Sequence, residues 1–257
     1  MSPAHRAFDT LDVFQAAGWT NNPAAHVSQM RMISFALVLS ILPLVQAHGA
    51  VAPSADPCPG ATSWNRTHPT VSEAAPRIEG GAESTITDAA LFKELQARVD
   101  RDQAARRSWL ATPGDEALAS SVNEIDAANL SWLQKLVSEK GFPTAAQVGK
   151  EGVHLTWVLL QHADQDPQFQ RELLPVLEQR YSAGELPAND LARFTDRVLL
   201  ASDKPQRYGT QFDWFSGEFT LPEPARLAEI DKERASLGLM PLRDYVCKLG
   251  EARRGAK

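Results

Sequence analysis

Basic clusters are scarce in this 257-residue chain: the formal charge is −6, the pI is near 5.6, and the longest arginine runs are the pairs Arg106-Arg107 and Arg253-Arg254. A nucleic-acid or anionic-membrane surface needs a concentrated basic footprint, so both partners are excluded. Cysteine is scarce too, at two residues, which leaves no thiolate cluster for a metal and no disulfide-dense scaffold. Long apolar runs are missing apart from Ile33 to Val45, which is shorter than the roughly 20 residues a membrane-spanning helix needs. No stable membrane anchor is expected. No Gly-x-Ser-x-Gly elbow is present, Gly149-Lys150-Glu151-Gly152 is not a phosphate loop, and neither cysteine adjoins a histidine. Those absences exclude the familiar catalytic templates. The 43% hydrophobic content still allows a full core.

The one apolar run has a different use. Met30-Arg31-Met32 precedes it and Val45-Gln46-Ala47 follows it, the layout of a secretory signal peptide over 30–47 cleaved after Ala47. Ala50-Val51-Ala52 competes as a cleavage site, but Pro53 sits awkwardly at its scissile bond. Residues 1–29 are polar and mixed, and read as an upstream extension from an early start. The expected location is therefore periplasmic or secreted. In an oxidising compartment Cys58 and Cys247 are able to pair, and the sequence leaves that open. Residues 48–83, rich in Pro, Ala, Ser, Thr and Gly, read as a flexible leader. A helical domain over 84–250 and a tail over 251–257 complete the expected layout.

Within 84–250 the apolar period is helical. Leu91, Leu95 and Val99 follow the cap Thr87-Asp88 at four-residue spacing, with Asp102 and Arg106 four apart on later turns. A second helix over 115–140 has the stripe Leu118, Val122, Ile125, Asn129, Leu133 and Leu136, so Asn129 stands where an apolar residue is expected. Thr144 and Gln147 fit a capping box, and Gly149 and Gly152 interrupt the segment that follows. From Val153 to Ala163 the chain is nearly all apolar, which places that helix inside the protein. Asp166-Pro167 caps the next helix, and Asn189 or Asp190 starts another, with Leu191, Phe194 and Val198 inward and Asp196-Arg197 on its flanks. Two short runs around Ser216-Gly217 suggest a small hairpin, and two helices end the domain. The expected fold is mainly α: one compact domain of about seven helices with at most one β-hairpin.

Three polar stretches interrupt these elements: Gln161-His162-Ala163-Asp164, Thr195-Asp196-Arg197, and Gln206-Arg207-Tyr208-Gly209-Thr210-Gln211. In that order, with Asp102-Gln103, Arg106, Asp126, Asn129 and Gly141-Phe142-Pro143-Thr144, they resemble a bacterial family of unknown function marked by QHAD, TDR and YGTQ elements. The resemblance spans most of residues 95 to 250. It implies a shared polar set and no particular activity.

His162 with Asp164 is suited to be a general base with its orienting carboxylate. A metal pair with His154 as third ligand is the weaker reading, since His-x-Asp alone is a poor metal signature, so no metal or cofactor is assigned. The plain alternative is a helix end whose carboxylates cap the next helix. Arg197 is suited to hold an anionic group, with Asp196 or Tyr208 as proton partner; a salt-bridged Asp-Arg pair is the competing account. Gln161, Gln206, Thr210, Gln211, Asn129 and Arg106 would line the pocket, Asn129 and Arg106 otherwise serving as internal bracing. The leading expectation is an acid/base enzyme, hydrolase- or lyase-like, acting on a small molecule or peptide. The alternative is a non-catalytic envelope binding or inhibitory protein that uses the aromatic segment from Tyr208 to Phe219.

Overall fold

The computed structural model describes residues 56–68, 86–112, 114–212 and 221–255. These form eight helices and no sheet: α1 (Pro59–Thr67), α2 (Ala89–Ala111), α3 (Glu116–Lys140), α4 (Ala145–Gln161), α5 (Pro167–Ser182), α6 (Ala188–Leu200), α7 (Pro224–Ser236) and α8 (Leu242–Gly255). The mainly helical expectation holds. Most of the hairpin expected around Ser216-Gly217 lies outside the described residues.

Helix α4 is the axis. Val153, Trp157, Val158 and Leu160 on it are fully buried, and α2, α3 and α6 pack around it. Truncating such a side chain, Leu160→Ala for example, costs about 2–5 kcal/mol. The apolar stripe of α2 closes on it through Leu91, Leu95 and Val99, after Asp88 caps that helix by accepting the Leu91 N–H at 2.9 Å. Asp166 caps α5 in the same way through the Phe169 N–H at 3.0 Å. Gln147 Oε1 accepts from the Thr144 N–H at 2.9 Å at the start of α4. Of the two expected interruptions only Gly149 is real, with φ at 73°, and the helix continues through Gly152. Pro175 lies inside α5 without ending it.

Three expectations need correction. The stretch read as a flexible leader contains α1, which docks on α8 through Ala61 and the Cys58–Cys247 disulfide. A nine-residue helix is too short to persist alone; its stability is tertiary, and composition could not reveal it. Helix α8 runs past residue 250 to Gly255, with Arg254 paired to Glu251 on its last turn. The Asp196-Arg197 pair is no flank, because every residue of α6 from Asp190 to Val198 is buried. Helices α5 and α4 cover one side of α6, and the 206–211 turn covers another.

Candidate functional site

The stripe that buries α2 does not stop at Val99. At the next inward positions stand Asp102 and Arg106, both almost fully buried. Buried charges must find partners, and these do. Arg106 Nε donates to Asp102 Oδ1 at 3.2 Å and its Nη2 to Asp126 Oδ1 on α3 at 2.5 Å. Gln103 Nε2 donates to Asp102 Oδ2 at 2.7 Å. His162, the residue that ends α4, brings Nδ1 to 3.0 Å from Asp102 Oδ1. The result is a polar centre of Asp102, Arg106, Asp126 and His162 at the junction of three helices.

Its electrostatics are uneven. Burial works against the Asp102 charge, but His162 and Arg106 outweigh it and hold the carboxyl below the usual carboxylate range. Asp126 moves the other way, pushed up by burial against the opposing pull of Arg106. An ionised Asp102 only accepts hydrogen bonds, so His162 donates from Nδ1, and in the neutral ring that tautomer leaves the lone pair on Nε2. The imidazole is 12% exposed against 1% for the carboxylate behind it, so it is the member of the pair that outside groups can reach.

Asp102, Asp126 and His162 each offer an atom within 4.8 Å of the others, a set able to hold a cation. The Arg106 guanidinium already bonds to both carboxylates, so an ion would have to displace it. The set His154, His162 and Asp164 does not assemble. His154 Nδ1 instead meets Asp190 Oδ2 at 2.7 Å, with the ring stacked on Trp157.

Asp164 faces α6 rather than His162. Arg197 Nη1 donates to both of its oxygens at 2.6 Å, and Gln170 Nε2 donates to it at 3.2 Å while also capping the Leu160 carbonyl at 3.0 Å. Asp196, wholly buried, is occupied by the turn after α6. Its Oδ1 accepts the Arg207 and Tyr208 N–H groups at 2.7 and 2.9 Å. Its Oδ2 accepts the Thr210 N–H and hydroxyl, both at 2.8 Å. Burial pushes this carboxyl up, opposed by those donors. Gln206 and Gln211 close the turn through a reciprocal pair of 2.8 Å bonds, and Gln211 Nε2 reaches the Arg193 carbonyl at 3.1 Å.

The three sequence stretches are therefore joined, Asp164 to Arg197 and Asp196 to the Tyr208 turn, while His162 points elsewhere, to Asp102. The Tyr208 ring packs against Ala192 and Leu239. Gln161 and Asn129 are buried near the polar centre, Gln161 adjoining His162 and Asn129 one turn past Asp126, where its Oδ1 accepts from Arg98 at 3.2 Å. The Gln103 Oε1, Asn129 Nδ2 and Gln161 Oε1 atoms have no hydrogen-bond partner among the described residues. Asp102 and Asp126 are absent from the residues that the sequence pointed to for the pocket. The available signal was that both carboxylates fall on apolar stripes, Asp102 at the spacing set by Leu95 and Val99.

A family model described as a family of unknown function (DUF6624) matches residues 87–257, and the chain belongs to that family. No curated protein and no solved structure matches the chain.

Proposed function

We propose that this family member is an acid/base enzyme centred on His162, of hydrolytic or lyase-like reaction class. The observation that carries the proposal is the Asp102–His162 pair: a buried, ionised carboxylate behind a partly exposed imidazole. Such a pair fixes ring orientation and tautomer and leaves Nε2 to take a proton from substrate or water. Asp102 is the orienting carboxylate, the role that the sequence suggested for Asp164. Asp126, pushed up by burial against the pull of Arg106, and Arg106 itself, which pairs with both carboxylates, brace Asp102 behind the ring. Arg197 and Asp196 position α4, α6 and the turn instead of touching substrate, because their partners are internal. The same reading has the enzyme exported. Residues 30–47 have the sequence layout of a signal peptide, and the Cys58–Cys247 disulfide suits an oxidising compartment.

A second reading has its own observation. The carboxylates of the half-buried Asp164 and the buried Asp196 are both held by protein donors, which suits a rigid binding or inhibitory protein braced by polar contacts. One experiment separates the two. The wild type is screened against chromogenic esters, amides, glycosides and phosphodiesters, and His162→Ala is compared for turnover and melting temperature. The enzyme reading expects turnover that falls about 10²–10⁴-fold in the variant with little change in melting. Turnover that survives His162→Ala overturns it. So does a wild type inert across the screen whose variant melts several degrees lower, which is the bracing outcome.

A further inference from the structure

Between the turn after α6 and helix α7 lies a groove of about 470 Å³ that none of the acid/base residues lines. We infer that this groove is a recognition site for a small anion of the phosphate class, separate from the His162 centre. Its floor is apolar, from Leu199 and Pro205, and its walls carry Lys204, Arg207 and Lys232. Arg226 also lines it but is neutralised, pairing with Glu229 at 2.8 Å and donating to the Gln206 carbonyl. Glu233 is the remaining acid, so three cations face one carboxylate on a chain whose overall charge is −6. A local excess of positive charge against a negative background draws anions to that one place.

Exposed lysines alone would make a poor site, and here the backbone supplies the rest. The Arg207 N–H is held by Asp196 at 2.7 Å, and the flanking Gln206 side chain is tied to Gln211 at both ends. From the other side Arg234 Nη1 donates to the Tyr208 carbonyl at 3.0 Å. Gly209 adopts φ 66°, and Leu242 lies where its Cβ would be. The turn that carries Arg207 is thus ordered before any ligand arrives, which removes part of the entropic cost of binding. The Arg207 guanidinium carries its N–H donors in the planar fork that matches phosphate oxygens, with Lys204 and Lys232 as flanking point charges. The volume lies in the roughly 300–1,000 Å³ range of small-ligand sites.

Isothermal titration of the full chain with pyrophosphate, inorganic phosphate and glycerol phosphate, at matched ionic strength in chloride, tests the inference. Saturable binding of at least one of them is expected, weakened about tenfold or more in Arg207→Gln and in Lys204→Gln/Lys232→Gln, and partly restored in Arg207→Lys. Tighter binding of glycerol phosphate than of phosphate identifies an organic ester as the ligand, and the reverse order the inorganic anion; either supports the site. No binding, or affinities that Arg207→Gln leaves unchanged, overturns it. His162→Ala should bind the anion as the wild type does, so this test fails or succeeds independently of the acid/base proposal.

Discussion

Replacing Asp196 by alanine should leave the Arg207, Tyr208 and Thr210 N–H groups and the Thr210 hydroxyl without their acceptor. A buried donor stripped of its partner costs about 1–3 kcal/mol. Arg207 lies at the surface, however, while Tyr208 and Thr210 are buried, so that end of the turn can open and exchange its lost bonds for water. A net loss of roughly 3–5 kcal/mol follows, near the bottom of the range for four fully buried donors. For a domain of this size about 1 kcal/mol moves the melting temperature by about 2–4 °C, so a drop of roughly 6–20 °C is expected. Asp196→Asn keeps one acceptor oxygen and should fall between the variant and the wild type. Differential scanning calorimetry measures the shift. Amide hydrogen exchange localises it, with protection lost at Arg207, Tyr208 and Thr210 and kept along α4. A variant that loses turnover but melts within about 2 °C of the wild type would refute the reasoning and return Asp196 to the chemistry.

Further outcomes follow from the same contacts. Asp102 is held below its ordinary value of 3.8, so its contribution to stability is complete above that pH and is lost as pH falls from there through the lower folded value. Asp102→Asn should therefore flatten the acid limb of a stability-against-pH curve; an unchanged limb would contradict the assigned ionisation. Arg106→Ala removes the cation between Asp102 and Asp126, so zinc or manganese should raise the melting temperature of this variant and not of the wild type. If neither responds, the three groups are not a cation site in waiting. Gly209→Ala should cost about 1–3 kcal/mol by thermal melting, because its backbone is left-handed and the new Cβ would lie 2.9 Å from Leu242 Cδ2.

Local order was legible in the sequence and long-range polar pairing was not. Leu91, Leu95 and Val99 announce the inner face of α2, and Asp88 and Asp166 announce their caps, because each depends on neighbours within one or two turns. The His162–Asp102 bond joins residues 60 apart, and nothing near either one specifies the other. The adjacency of His162 and Asp164 in sequence suggested a pair, yet the end of α4 turns Asp164 toward Arg197 and leaves His162 facing α2. Helix α1 shows a further limit, since its docking partner on α8 lies at the far end of the chain. Asp196 was misread for another reason: α6 looks amphipathic by period, but a packed turn covers the side that period assigns to solvent.

The Cys58–Cys247 bond carries a consequence of connectivity. It closes α1 through α7 into a covalent ring, since all of them lie between the two cysteines. One backbone cut anywhere within that ring leaves both fragments linked, so a nicked molecule would migrate as intact material until a reductant is added. A proteolysis readout based on fragment size would miss such a break under non-reducing conditions. The ring also means that no helix from α1 to α7 can be lost by trimming from either end while the bond stands, a form of endurance set by topology and separate from the depth of the core.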